Sequence, residues 1–172
     1  QTSLAAGTCL DASSNVVACY DAFVAKLNTA ASGAASLIYA TYLGGNDYEH
    51  ARDVCTDAQG NVYVVGGTRS TNFPIVGGTA FNPGPRSDPT GKELMDAFVA
   101  KFSPTGQLLW STCLGGPNYE RDYAVEVDAT GNIYVAGRAG KEFPVTAGAF
   151  QTTFHGSDMR AYGGWQNGFV AK

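Results

Sequence analysis

The sequence predicts an all-β protein made of tandem, four-stranded antiparallel units. The first observation is a hexapeptide, Asp21-Ala-Phe-Val-Ala-Lys26. It returns as Asp96-Ala-Phe-Val-Ala-Lys101 and, with two changes, as Asn167-Gly-Phe-Val-Ala-Lys172, at spacings of 75 and 71 residues. The second is a run pattern in which β-branched and aromatic residues cluster between Gly, Asn, Asp and Pro. The third is the near absence of helix start and stop signals.

The intervals between the hexapeptides are themselves copies. Gly45-Asn-Asp-Tyr-Glu-His-Ala-Arg-Asp-Val-Cys-Thr-Asp-Ala-Gln-Gly60 lies without a gap over Gly116-Pro-Asn-Tyr-Glu-Arg-Asp-Tyr-Ala-Val-Glu-Val-Asp-Ala-Thr-Gly131. Upstream, Leu37-Ile-Tyr-Ala-Thr-Tyr-Leu-Gly-Gly45 matches Leu108-Leu-Trp-Ser-Thr-Cys-Leu-Gly-Gly116, and downstream Phe73-Pro matches Phe143-Pro. The chain divides into an N-terminal extension (1–20) and a repeat domain (21–172), the latter holding a partial unit (21–45) and units around 46–116 and 117–172.

Within a unit each element has a local reason. Strand one is expected over 54–57 and strand two over 61–66, joined by Ala58-Gln59-Gly60, where Gly60 takes positive φ and Asp57 bonds the turn amides. Asp128-Ala-Thr-Gly-Asn132 repeats that device after a first strand at 125–128. Strand three is expected over 97–102 and strand four over 108–114, with Ser103-Pro-Thr-Gly106 turning between them. The Pro- and Gly-rich segment 73–95 suits an ordered surface loop joining strands two and three.

Tandem four-stranded antiparallel units with apolar residues on both faces are how β-propeller blades are built, a β-sandwich or solenoid being the alternatives. The hexapeptide, Tyr42-Leu-Gly-Gly45, Asp-Ala-x-Gly-Asn-x-Tyr-Val and the Phe-Pro motif together resemble the SBBP repeats of bacteria and archaea, named for a seven-bladed β-propeller. The strand-turn-strand pair also resembles the NHL propeller repeat, which implies that 54–57 and 125–128 are innermost strands. The resemblance implies a propeller-like fold and no single activity, since such repeats occur in secreted and surface proteins of varied role.

Four cysteines, Cys9, Cys19, Cys55 and Cys113, form no CxxC pair. Cys9 and Cys19 flank a polar Asp-Ala-Ser-Ser-Asn stretch able to turn the chain back, so a Cys9–Cys19 bridge is expected, with reduced buried thiols as the alternative. Cys55 on an innermost strand and Cys113 on an outermost one stand three strand spacings apart, about 14 Å, beyond disulfide reach.

Net charge −4 without a Lys/Arg cluster argues against nucleic acid as a partner, and no apolar run approaches a membrane-spanning length. The chain opens on Gln1, as expected of a mature chain freed of a targeting peptide, which fits an extracellular, secreted or cell-surface location. No catalytic, cofactor or metal site is expected. His50 and His155 belong to no HExxH or GxSxG pattern, and His50 aligns with Arg121 at a polar surface position. Asp47, Glu49, Asp53, Glu120 and Asp122 carry oxygen ligands suited to calcium, but their spacing matches no EF-hand and solvated loop carboxylates are expected. Tyr48, Tyr119 and Trp165 are candidate surface platforms for glycans or protein; Trp110, aligned with Tyr39, is expected to pack between blades.

Counted in order, the strands are three and four, then a complete set, then one, two and three. About three blades cannot close a ring, because propellers use four to eight. Each end exposes a part-built sheet that the other end resembles, and an unpaired sheet edge templates association. The expected role is a secreted, non-enzymatic structural subunit whose partners are copies of itself. Phe23, Val24, Phe169 and Val170 lie on the strands that would complete sheets head to tail, as a filament, tube or ring. The alternatives are a fragment of a larger propeller acting as a glycan- or protein-binding scaffold, and a self-contained β domain.

Overall fold

The computed structural model describes residues 19–77, 94–156 and 166–172, together with the backbone of 9–10 and 16–17. The described residues are all-β apart from one 3-10 turn at Gly33–Ser36. A short antiparallel hairpin comes first, β1 (Cys9–Leu10) with β2 (Val16–Val17). Three blade-like sheets follow. The first pairs β3 (Ala22–Leu27) with β4 (Leu37–Leu43). The second orders β5 (Glu49–Thr56), β6 (Val62–Thr68), β7 (Asp96–Phe102) and β8 (Leu108–Leu114) side by side. The third holds β9 (Arg121–Val127), β10 (Ile133–Ala139) and β11 (Asn167–Ala171). All these pairings are antiparallel.

The strand order expected from the sequence is the order observed. The innermost strands, however, start earlier than 54 and 125, because their first halves, Glu49–Asp53 and Arg121–Ala124, are polar and carry no strand pattern. Glycine makes them strands. A Cβ on Gly66 would lie 1.7 Å from the His50 carbonyl, and one on Gly137 would lie 2.2 Å from that of Arg121, so only glycine lets the two backbones approach. A bulge sits at each of these places. The same glycines stand opposite Phe98 and Phe169 in the ladder and leave room for those rings.

Alternation along the second blade splits its side chains between two cores. Val62 and Val64 of β6, with Phe98, Ala100 and Phe102 of β7, pack against Ala22, Val24 and Leu43 of the first blade. Tyr63, Val65 and Val99 turn the other way and pack against Val125, Val135 and Phe169 of the third. The Phe-Pro repeat has a packing role as well. Phe73 stacks on Phe98 at 4.8 Å, and Phe143 lies on Phe169 at 4.4 Å.

Segment 73–77 continues along β8, where the Ser111 hydroxyl donates to the Pro74 carbonyl (2.6 Å) and accepts from the Val76 amide (3.0 Å). The rest of the loop expected over 73–95, residues 78–93, lies outside the described residues. The Asp turns form as expected. Asp57 accepts from the amides of Gln59 and Asn61, the Asn61 side chain and the Tyr63 hydroxyl, and Asp128 repeats the set with Thr130, Asn132 and Tyr134. β5 and β8 form opposite edges of their sheet, and Cys55 is a free thiol.

Candidate assembly faces

Each blade has a face toward the preceding blade and one toward the following blade, and the hexapeptide supplies one residue to each. Its Phe points backward and its Val forward. In the second blade, flanked on both sides, Phe98 is 0% exposed and Val99 is 4% exposed. In the first blade Val24 is buried against its neighbour while Phe23 is 69% exposed. In the third, Phe169 packs on the second blade while Val170 is 80% exposed.

The neighbours of these residues follow suit. Leu27, Leu37 and Tyr42 accompany Phe23 on an exposed apolar face. Tyr134 accompanies Val170 and is 36% exposed, whereas Tyr63, its equivalent in the second blade, is 1% exposed. Lys172 lies over the Tyr134 ring at 5.4 Å, as Lys101 lies over Tyr63 at 5.0 Å. The four assembly residues named from the sequence thus divide into a pair packed on the second blade, the buried Val24 and the partly buried Phe169, and an exposed pair, Phe23 and Val170.

The third blade has a further open side. Among the described strands β11 pairs only with β10, whereas its counterpart β7 is flanked by β6 and β8. Beside that edge runs a groove of 1860 Å³ between the second and third blades, lined by Trp110, Leu114, Phe143, Phe150, Phe169 and Lys172 among others. Trp110 packs against the core between these blades, as expected from its strand position.

The carboxylates expected to be solvated loop residues are otherwise placed. Glu49 is buried and accepts from the Gly45 amide (3.1 Å) and the Thr68 hydroxyl (2.6 Å). Glu120 is buried and accepts from the amides of Gly116 (3.0 Å) and Gly140 (3.2 Å). Both hold the Gly-Gly turn that leads into their blade, and burial raises the Glu49 pKa despite those bonds. Asp122 is buried too, and burial pushes its pKa up to about 8. Asp53 accepts from the Val125 amide of the third blade (2.9 Å) and Asp47 pairs with Arg69 at 3.7 Å. Among the described residues no group of three His, Cys, Asp or Glu side chains comes together.

The aromatic platforms also change. Tyr119 is 4% exposed, with the Arg121 and Arg138 guanidiniums over its ring at 5.2 and 5.1 Å, so the surface role is corrected to an internal cation–π contact. Tyr48 is half-buried between Tyr20 and His50, with ring centroids 5.5 and 4.2 Å away. Burial, then the charges of Arg121 and Arg52, lower the His50 pKa to about 4, so it packs as a neutral ring. Trp165 lies outside the described residues, as does the Cys9 side chain on which the expected bridge depends.

Residues 38–74, running from β4 through the strand-turn-strand pair to the Phe-Pro motif, match the SBBP family, a beta-propeller repeat. Over these residues the chain is similar to an SBBP β-propeller repeat. The match spans the junction between the first and second blades. The matched stretch holds a Gly-Gly turn, the Glu49 anchor and the Asp57 turn. No curated protein matches the chain. Among the described residues the three blade-like sheets do not close on themselves, and the two outermost faces are the exposed ones.

Proposed function

We propose that this protein is a secreted, non-enzymatic structural subunit that assembles head to tail with copies of itself. The third blade of one copy stacks on the first blade of the next. The observation that carries this reading is the exposed pair Phe23 and Val170, which occupy the positions buried as Phe98 and Val99 at the internal joints. A joint between copies would then repeat the joint within a copy, a heterologous contact that yields a ring or a filament. Burying each of these side chains contributes about 2 kcal/mol.

Extracellular location is supported by the cysteines. Cys19 is engaged rather than a free thiol, Cys55 is free, and the β1–β2 register sets Cys9 opposite Val17, two residues from Cys19. A Cys9–Cys19 bridge in an oxidising compartment accounts for that distribution. The structural role is supported by how these carboxylates are used, since the buried Glu49 and Glu120 and the partly exposed Asp57 and Asp128 all serve turns. The second reading, a glycan- or protein-binding scaffold, is favoured by the aromatic lining of the groove.

Light scattering across a dilution series, with negative-stain microscopy, tests the proposal. Rings or filaments that dissociate on dilution support it. A monomer at every concentration overturns it in favour of the scaffold, which glycan-array binding would then establish.

A further inference from the structure

The first halves of β5 and β9 bring together charge that the sequence keeps apart. Each strand carries a bulge, and the residue left out of the ladder is Arg52 in β5 and Tyr123 in β9. Bulges re-aim side chains, and both of these stand in solvent, Tyr123 at 44% exposure. Arg121, two residues before Tyr123, is instead buried, with its stem beside Gly67 at the joint between the second and third blades. Its Nη2 donates to the Tyr119 hydroxyl and to Met95 Sδ (3.4 Å), both neutral, and its Nε has no hydrogen-bond partner among the described residues. Among those residues neither Arg121 nor Arg52 forms an ion pair. Arg138 adds a third guanidinium, over the Tyr119 and Tyr123 rings at 5.1 and 5.7 Å. Burial lowers the Arg121 pKa, Tyr119 opposes that, and the charges of Arg52 and Arg138 add to it. A buried charge is normally held by a counter-charge, and a guanidinium does not escape by losing its proton.

We propose that Arg121 and Arg52 form an anion site that takes the carboxylate of an acidic sugar, whose ring lies against Tyr123. The missing counter-charge then comes from the ligand. A planar guanidinium matches a carboxylate in shape and hydrogen-bond direction, and an exposed tyrosine offers a sugar ring a flat apolar face. The net charge of −4 on the chain favours a ligand with few charges over a polyanion. His50 stands beside the site and reports on it. Burial, then the charges of Arg121 and Arg52, bring its pKa to about 4, so an anion bound between those charges raises it. The site shares no residue with the lining of the groove or with the exposed pair Phe23 and Val170, so it stands whether or not copies assemble.

The test titrates the full chain with digalacturonate, its dimethyl ester and acetate at matched ionic strength, by calorimetry and by NMR of the two histidines. Digalacturonate should bind, shift the His50 resonances and raise the His50 pKa, while the exposed His155 stays unmoved. The ester should do neither. Arg121→Gln should weaken binding about tenfold and Arg52→Gln about fivefold. Arg52 is on the surface, so its variant keeps the test decisive if Arg121→Gln fails to fold. Equal binding of the ester overturns the carboxylate contact, and an equal effect of acetate overturns the sugar. His50 unmoved by any of the three, or binding unchanged in both variants, overturns the site. Head-to-tail stacking is decided separately by the dilution series.

Discussion

Replacing Asp122 with alanine should stabilise this protein, and by an amount that depends on pH. Asp122 is fully buried on β9, and among the described residues neither carboxylate oxygen has a hydrogen-bond partner. The second blade has Ala51 at the corresponding position, so the fold accepts alanine there. Burial raises the pKa from 3.8 to about 8. The folded chain therefore keeps this proton up to about pH 8, while the unfolded chain releases it from about pH 4. Stability falls as pH rises through that window and levels off above it. A rise of about four pKa units corresponds to a penalty on the order of 5 kcal/mol, and the volume lost on truncation returns about 1 kcal/mol of that. Thermal melts by circular dichroism, wild type against Asp122→Ala from pH 4.5 to 9, read the difference directly. The variant should match or trail the wild type at pH 4.5 and exceed it increasingly up to pH 8. A difference that stays constant across the range refutes the buried neutral carboxyl.

Three further outcomes follow from the same geometry. Gly66→Ala forces a Cβ against the His50 carbonyl and should cost about 3 kcal/mol, while Gly168→Ala, whose Cβ meets only one atom at 3.8 Å, should stay near neutral in the same denaturant titration. The Asp57 pKa is held down first by the Asn61 side chain, so wild-type stability is present above the usual carboxylate range and lost as pH falls through the depressed value. Asp57→Ala should flatten that acid loss in melts between pH 2 and 5, and an unchanged acid slope counts against the turn assignment. Burial, then the charges of Glu126, Asp53 and Asp57, raise the Cys55 pKa, and Cys113 is buried. Native alkylation at pH 8 should therefore be slow at Cys55 and slower still at Cys113, as mass spectrometry would show.

The blade order was legible in the sequence because three signals agreed: the hexapeptide, the Asp-Ala-x-Gly-Asn turn and the Ser103–Gly106 turn each mark a fixed point in the unit. The first halves of β5 and β9 were not legible, since backbone approach to Gly66 and Gly137 creates them and side-chain pattern does not. Glu49 and Glu120 were misread for a related reason. A carboxylate is ordinarily solvated, and burial becomes acceptable only where groups such as backbone amides donate hydrogen bonds to it. Their recurrence four residues after Gly45 and Gly116 was the available signal. Phe23 and Val170 were placed on the right strands, but exposure depends on which neighbour is present, a tertiary fact.

Head-to-tail assembly requires that the two exposed faces meet between copies. Sedimentation velocity on the wild type, Phe23→Ser, Val170→Asn and the double variant measures this at fixed concentration. Loss of about 2 kcal/mol per face predicts association weakened about 30-fold by each single change. In the double variant the effects should fail to add, because one change already removes the contact partner of the other. Sedimentation of all four proteins as the same monomer, or as the same oligomer with unchanged affinity, contradicts head-to-tail stacking.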